Sequence, residues 1–211
     1  MSLLVVMSVN YFKQEIIVGI DEVGRGCLAG PVVAAAVVLP EKHGIIGIKD
    51  SKKLSHKKKL QLDVLIRQKA LAVGIGEIDS NKIDEVNILQ ASLLAMRDAV
   101  RCIKIKIDKV LVDGNHTIPY LDIEQEAITD GDNLIECISA SSIIAKVYRD
   151  VEMTILDKLY PEYGWAQNKG YGTREHMSAI LKYGITKYHR KSFSIKGISL
   201  RDMNTRKEVL L

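Results

Sequence analysis

The 211-residue sequence has few cysteines, no C-x-x-C pair and no long hydrophobic run. Because its three cysteines, Cys27, Cys102 and Cys137, are far apart, a zinc ribbon and a thioredoxin-like redox site are excluded. A sparse, odd number of cysteines is typical of a reducing cytosol, so we expect a cytoplasmic protein. The longest apolar run, residues 32–39, is too short to cross a bilayer, and the N-terminus lacks the pattern of a secretory signal. We therefore expect no association with a membrane.

The composition is that of a globular protein, with 47% apolar and 27% charged residues. Lys and Arg number 30 and Asp and Glu number 26, which gives a net charge of +4. This balance permits a polyanionic partner without requiring one. The four prolines are scattered, and there is no repeat or low-complexity stretch. We predict one domain over residues 1–193, including a helical C-terminal part, and a tail over 194–211.

The hydrophobic pattern predicts both strands and helices. Short apolar or alternating segments predict strands at 16–21, 32–39, 71–78, 109–113 and 124–129. Helical spacing and capping residues predict helices at 55–70, 80–103, 139–160 and 173–183. Since strands come first and then alternate with helices, we expect a mixed α/β sheet that begins with antiparallel strands.

Four acidic residues fall where predicted strands end. Asp21 and Glu22 end the first strand, Asp113 ends the segment Lys-Val-Leu-Val-Asp, and Asp132 precedes a predicted helix. Strand ends of this kind line one edge of an α/β sheet, where functional sites gather. A buried lone carboxylate costs several kcal/mol unless it is paired or binds a metal ion. We therefore expect the four side chains to share one site.

An all-oxygen site of this kind suits Mg²⁺ or Mn²⁺. Two such ions, about 4 Å apart, are suited to in-line displacement at a phosphodiester. Taken singly, each acid is better explained as a turn residue or a helix cap, as in the pair Asp113-Gly114. Taken together, the four favour a two-metal site.

Two glycine-flanked side chains are candidates for contacts with nucleic acid. In Gly24-Arg25-Gly26 the missing Cβ atoms let a ligand approach the backbone, and the guanidinium suits a phosphate. Tyr171 lies between two glycines, where its ring could stack on a base or a sugar. The alternatives are a tight turn with a solvated arginine, and a tyrosine that lies on the surface.

Basic residues near these segments add candidates for phosphate contacts. Ser51, Lys52 and Lys53 precede a predicted helix and could face a phosphate backbone, whereas Lys57–Lys59 are interpreted as solvated. Lys146 and Arg149 are one helical turn apart, so they share a face. That face could contact phosphate or pair with neighbouring acids.

These segments together resemble the ribonuclease HII family, also called type 2 ribonuclease H. The resemblance rests on six motifs that occur in the family's order, from about residue 16 to 193. They are GIDEVGRGCLAGPVVAAAVVL (19–39), DSKKLS (50–55), LVDGN (111–115), GDNLIECISASSIIAKVYRD (131–150), NKGYGTREH (168–176) and HRKSF (189–193).

The resemblance implies an RNase H-like fold, in which helices flank a mixed five-stranded sheet. It implies cleavage of RNA in RNA–DNA hybrids and on the 5′ side of single ribonucleotides in duplex DNA, with Mg²⁺ or Mn²⁺ and 5′-phosphate and 3′-hydroxyl products. It also implies that the four acids bind the catalytic metal ions. The segment Gly24-Arg25-Gly26 would read the ribose 2′-hydroxyl, and Tyr171 would stack on the sugar of the next deoxynucleotide.

The sequence departs from the family pattern in three places. Cys27 stands where proline is expected, which predicts a less rigid loop. A serine-rich run, 139–142, replaces an alanine-rich one and weakens helix propensity. Asp130 offers a second carboxylate near Asp132, of which we prefer Asp132 for the metal site.

Other functions are weighed against this one. A type 3 ribonuclease H carries an additional N-terminal domain, for which the 20 residues before Asp21 leave no room. A junction resolvase or DNA nuclease of the same fold would not need a reader of the 2′-hydroxyl. A non-catalytic RNA–DNA binding module is opposed by the acids, which repel phosphates unless a cation lies between them. No P-loop motif is present.

Beyond residue 193 nothing is carried over from the family. We interpret the segment 194–211 as a flexible end, with a short docking segment for a replication clamp as the alternative. Partner proteins are not indicated by the sequence, and we expect a monomer.

Overall fold

The structure is a computed structural model that describes residues 15–48, 54–195 and 197–203. Its centre is a five-stranded sheet in the order β3-β2-β1-β4-β5. The strands are β1 (Ile17–Val23), β2 (Val32–Val38), β3 (Ala72–Ile78), β4 (Lys109–Asp113) and β5 (Glu124–Ile128). Strand β1 pairs antiparallel with β2, and β2 with β3, whereas β1–β4 and β4–β5 are parallel. The predicted mixed sheet with antiparallel strands first is therefore confirmed.

Seven α-helices, a short hairpin and two 3-10 helices, Pro161–Tyr163 and Leu200–Asp202, complete the described part of the chain. The helices are α1 (His56–Lys69), α2 (Ser80–Val86), α3 (Ile88–Arg101), α4 (Gly131–Leu134), α5 (Glu136–Leu159), α6 (Trp165–Asn168) and α7 (Arg174–Tyr183). The hairpin consists of β6 (Ser194–Ile195) and β7 (Ile198–Ser199). None of the described helices is long and apolar enough to span a bilayer.

Strand β2 is apolar throughout because both of its faces are covered. Val32, Ala34 and Ala36 point toward α3 and one hydrophobic cluster, while Val33 and Ala35 belong to a second cluster with α1 and α5. Side chains alternate along a strand, so a strand buried on both sides carries no polar positions. The sheet is thus the middle layer of three.

Helix α5 lies directly on β1 beside the acidic end of that strand. A Cβ atom at Gly19 would collide with the backbone of Cys137 in the first turn of α5. The hydroxyl of Ser141 donates a hydrogen bond of 2.7 Å to the Gly19 carbonyl. The glycine permits this close approach, and it fixes α5 next to the carboxylates that follow.

The single helix predicted over 80–103 is wrong, because the chain breaks at Asn87. This residue has a φ of 70°, and its side-chain oxygen accepts a hydrogen bond of 3.1 Å from the amide of Gln90. It therefore caps α3 and separates it from α2. Apolar residues keep helical spacing across the break, so the periodicity alone gave no sign of it.

A third hydrophobic cluster joins the C-terminal elements to the domain. It includes Trp165 and Tyr163, together with Met153 of α5. Ile195 and Leu200 are also buried in this cluster, so the predicted boundary at residue 193 precedes a hairpin that packs against the domain. Residues 204–211 of the predicted tail, as well as Ser51 and Lys52, lie outside the described residues.

Candidate active site

Asp21, Glu22, Asp113 and Asp132 line one cleft of about 350 Å³. Strands β1 and β4 are parallel neighbours, so the first three acids meet at the carboxyl edge of the sheet. Asp132 approaches from the first turn of α4. The other residues that line the cleft are Val23, Lys59, Ser142, Ile143, Lys146 and Tyr171.

Hydrogen bonds hold three of these acids in place. The backbone amide of Asp132 donates to Asp113 Oδ1 at 3.2 Å, and the amide of Glu22 donates to Asp21 Oδ1 at 2.7 Å. Arg25 donates to Glu22 Oε1 at 3.1 Å. Asp132 is fully buried and lines the cleft. Asp130 is exposed. Of the two neighbouring candidates, the structure therefore brings Asp132, the one preferred from the sequence, to the cleft.

The cleft destabilises negative charge. Burial raises the pKa of Asp21 well above its usual value, and the nearby charges of Glu22 and Asp113 raise it further. Burial also raises the pKa of Glu22, against the opposing effect of Arg25. A carboxylate that is desolvated among like charges gains stability from any cation bound beside it.

The residues fit divalent cations by their chemistry. All four acidic donors are oxygen atoms, which hard cations prefer, and Asp21 lies at the centre of mutual repulsion that a cation would offset. Within the described residues, no three acidic, imidazole or thiol side chains are already arranged around one metal position. The fit therefore rests on donor type and electrostatics.

The serines that were interpreted only as weakening a helix contact the site. Ser139 donates to the backbone carbonyl of Asp132. Ser142 hydrogen-bonds the carboxylate of Asp21, which opposes the rise in the pKa of that group. Both serines lie in α5 next to the cleft, and alanine at either position would remove the hydroxyl that donates to Asp132 or Asp21. The sequence signal for these contacts was the spacing of the two serines, three residues apart on one face of the helix.

Two lysines, Lys59 and Lys146, line the cleft. Lys146 donates a hydrogen bond of 2.6 Å to Asp150 within α5. Lys59 of α1, which was interpreted as a solvated residue, is half-buried and also lines the cleft. Burial lowers the pKa of Lys59, and the charge of Lys146 lowers it further. Two cations near one another favour an anion between them.

Arg149 does not line the cleft with Lys146, and the suggestion that it contacts phosphate is wrong. Its guanidinium is fully buried and donates to the carbonyls of Pro31, Lys169 and Ala29 at 2.8, 2.8 and 3.1 Å. Buried Arg190 supports the same loop by donating to the carbonyls of Gly30 and Arg25. Two interior arginines thus fix the glycine-rich loop that carries Arg25.

Tyr171 reaches the cleft from the loop between α6 and α7, and its side chain is 42% exposed. Burial of the remainder raises the pKa of its hydroxyl, and a hydrogen bond with the buried thiol of Cys27 adds to this. Cys27 is thus a contact of the tyrosine.

Two buried imidazoles lie beneath the Tyr171 loop. The Nδ1 atom of His176 lies 2.9 Å from the Tyr171 carbonyl oxygen, and its Nε2 atom lies 3.2 Å from Nε2 of His189. The indole of Trp165 donates to His176 Nε2 at 3.0 Å, and the amide of Thr186 donates to His189 Nδ1 at 2.9 Å. In the described part of the chain, neither imidazole forms an ion pair.

This histidine pair makes the stability of the fold dependent on pH. Burial lowers the pKa of His189 to about 3, and the neighbouring His176 adds to the effect. An unfolded histidine binds a proton below about pH 6.5. The contribution of neutral His189 to folding stability is therefore complete above pH 6.5 and is lost as the pH falls toward 3. We expect this acidification to reduce the free energy of unfolding by about 1.4 kcal/mol per pH unit in that range.

Urea unfolding at pH 7.5 and pH 5 measures this dependence. The variant His189→Gln should show a shallower loss of stability on acidification than the original chain. The exposed His116 offers a control for the substitution itself, because His116→Gln removes an imidazole that is not buried. An equal loss in both variants would contradict the assignment to His189.

The chain is similar to known proteins over nearly all of its described length. A family model described as Ribonuclease HII matches residues 18–196. Ribonuclease HII of Christiangramia forsetii is 48% identical over 187 residues, which cover 88% of this chain and 94% of that protein. The protein of the same name from Syntrophus aciditrophicus is 47% identical over 206 residues, with 94% and 97% covered. Among solved structures, the PCNA:RNase HII complex from Archaeoglobus fulgidus matches with a TM-score of 0.73 and 25% identity, over 89% of this chain and 99% of that chain.

Proposed function

The chain belongs to the ribonuclease HII family, and we propose that its acidic cleft cleaves RNA in RNA–DNA hybrids and nicks duplex DNA on the 5′ side of single ribonucleotides. The family consists of endonucleases that depend on divalent metal ions. The observation that carries the proposal is the convergence of four carboxylates from three segments on a cleft that also holds Lys146 and Tyr171. We assign 5′-phosphate and 3′-hydroxyl ends to the products.

We assign metal binding to Asp21, Glu22, Asp113 and Asp132. These residues would hold Mg²⁺ or Mn²⁺, which would supply activation of the attacking water and would offset the negative charge on the leaving 3′-oxygen. Asp21 interacts electrostatically with both Glu22 and Asp113, so we assign it the central position among the ligands. Ser142 and the Glu22 amide orient its carboxylate.

Recognition of the substrate is assigned to groups in and beside the cleft, with Arg25 in an adjoining pocket that Glu22 and Asp113 also line. Gly24, Arg25 and Gly26 would contact the ribose 2′-hydroxyl, which distinguishes RNA from DNA. Tyr171 would stack on the sugar of the following deoxynucleotide. Lys146 would bind phosphate, and Lys59 faces the same cleft. Ser51 and Lys52 keep the phosphate role predicted from the sequence.

The first experiment is cleavage of a DNA duplex with one ribonucleotide, in Mg²⁺ and then in Mn²⁺, with the cut mapped. We expect a nick 5′ to the ribonucleotide and none in an all-DNA duplex. Cleavage of long hybrids alone would retain the hydrolysis but remove the roles of Arg25 and Tyr171 at the junction. Binding of hybrid without any cleavage would instead support a binding module.

Gly26 and Gly24 provide a matched test of the glycine-rich loop. A Cβ atom at Gly26 would meet open space, and the residue has no positive φ, so Gly26→Ala should leave stability within about 0.5 kcal/mol. Because the added methyl group stands where the ribose is proposed to approach, we expect nicking at a single ribonucleotide to fall about tenfold or more. Steady-state kinetics on the embedded ribonucleotide measures this.

The companion variant is Gly24→Ala, which should destabilise the fold itself. Gly24 has a φ of 95°, and a Cβ atom there would collide with the Arg149 guanidinium. A Gly26→Ala variant with unchanged nicking would argue against close approach of the substrate at Gly26. One that unfolds as readily as Gly24→Ala would contradict the open space found around a Cβ atom at Gly26.

A further inference from the structure

We propose that His176 and His189 are positioning residues for the cleavage reaction, which act as a neutral imidazole pair that holds the main chain of Tyr171 at the cleft. The proposal rests on the assignment of Tyr171 to substrate recognition. It concerns groups that the metal chemistry does not use, since both imidazoles are buried beneath the loop and are absent from the cleft lining.

The hydrogen-bond partners fix where each proton lies. A backbone amide can only donate, so the Thr186 amide requires Nδ1 of His189 to be an acceptor. The neutral ring then carries its proton on Nε2 and donates to Nε2 of His176. The Trp165 indole donates to that same Nε2 atom. The proton of His176 is therefore on Nδ1, where it is donated to the Tyr171 carbonyl.

A proton added to either ring would break this chain of bonds. On His189 it would place an N–H against the Thr186 amide, and on His176 it would place an N–H against two donors. Burial lowers the pKa of both imidazoles, in agreement with the neutral state. The pair thus has one arrangement of protons, and that arrangement ends on the main chain of Tyr171.

The same pair is joined to the glycine-rich loop. The backbone of His189 forms an isolated antiparallel bridge with Ala29, and the Leu28 amide donates to the Gly170 carbonyl at 2.8 Å. The segments that carry Arg25 and Tyr171 therefore meet at the residues next to the pair. An imidazole that merely filled the core would not need a bond to the residue whose ring lines the cleft.

Two substitutions at His176 separate the two ring nitrogens. In His176→Asn the side-chain amide can take the place of Nδ1 and still donate to the Tyr171 carbonyl. In His176→Gln the longer amide reaches the place of Nε2, and the bond to Tyr171 is lost. The measured quantity is kcat/KM on a single-ribonucleotide duplex divided by kcat/KM on a long hybrid. We expect His176→Gln to lower this ratio about tenfold and His176→Asn to retain most of it.

A double-mutant cycle with Tyr171→Ala tests whether His176 acts through the tyrosine. If it does, His176→Gln lowers the ratio no further once Tyr171 is alanine. Effects that multiply in the double variant would overturn the proposal, because they would show a general structural role. Equal ratios for His176→Asn and His176→Gln would also overturn it.

A measurement on the free protein keeps the inference independent of activity and of variant folding. Nitrogen NMR of the original chain should show His189 protonated on Nε2 and His176 on Nδ1, and any other tautomer would overturn the proposal. Failure of the original chain to nick the duplex would count against the proposed function alone. If the tautomers are as expected but the effects of His176→Gln and Tyr171→Ala multiply in the double variant, the result would count against the positioning role alone.

Discussion

Replacing Asp21 by asparagine is expected to reduce cleavage by at least about 10³-fold while the protein without divalent cations becomes more stable. The loss of activity follows because a neutral amide is a poor ligand for Mg²⁺ or Mn²⁺. The gain in stability follows because the asparagine carries no charge to be desolvated or repelled by Glu22 and Asp113. Its side-chain oxygen can still accept the Glu22 amide, so the local geometry is retained.

Thermal unfolding in a chelator and in Mn²⁺ separates the two effects. In chelator, Asp21→Asn should unfold at a higher temperature than the original chain. Adding Mn²⁺ should stabilise the original chain by mass action and the variant much less. The notable feature of this result is its direction, since a substitution that merely damaged the fold would lower both activity and stability.

Asp130→Asn is the control, because this acid is two residues from Asp132 but is exposed. It should keep the activity and show no gain in stability. Asp113→Asn should reproduce the loss of cleavage while binding of the hybrid survives. Turnover that is retained in both Asp21→Asn and Asp113→Asn would remove the catalytic assignment.

The position of the acids could be predicted from the sequence because carboxylates rarely end apolar strands for packing reasons. Asp113 closes a strand whose bounds agree with those in the structure, and Asp21 lies in the strand beside it. The parallel pairing of these two strands brings their ends together. Local pattern and sheet topology agree here, and such agreement makes sequence reasoning dependable.

The supporting groups could not be predicted because their partners are distant in sequence. Arg149 was expected to share a face with Lys146, yet its guanidinium enters the interior and donates to carbonyls more than 100 residues away in the sequence. Lys59 resembles its solvated neighbours in sequence, and only the approach of α1 to α5 brings it to the cleft. The spacing of residues in a helix predicts which of them share a face, but it does not predict which other elements pack against that face.

The histidine pair was missed for the same reason. His176 and His189 occur in motifs that support the family resemblance, but nothing in either motif indicates that the two rings meet. The contact forms because α7 and the segment after it fold back over Trp165. The functional interpretation of Tyr171 therefore depended on its glycine neighbours and on the family resemblance, whereas the structure adds contacts with Cys27 and with His176.

Replacing Arg149 by methionine is expected to destabilise the fold by about 4 kcal/mol and to impair recognition of the ribonucleotide. Methionine has a comparable length but no donors, so three carbonyls on two loops lose their hydrogen bonds inside the protein. Each buried carbonyl left without a donor costs about 1–3 kcal/mol. Arg149→Lys should recover little of this, because one ammonium group cannot reproduce the planar, spread donors of a guanidinium.

Urea unfolding, with Arg67→Met as the control, measures the effect. The side chain of Arg67 is 41% exposed and pairs with Asp63 within α1, so its loss leaves one carboxylate without a partner and should cost less than the loss of Arg149, which leaves three buried carbonyls without donors. Among the molecules of Arg149→Met that remain folded, the loop that carries Arg25 and the loop that carries Tyr171 have lost their shared support. The ratio of single-ribonucleotide to long-hybrid cleavage should therefore fall as well. An Arg149→Met variant as stable as Arg67→Met would show that the guanidinium is not what holds the two loops together.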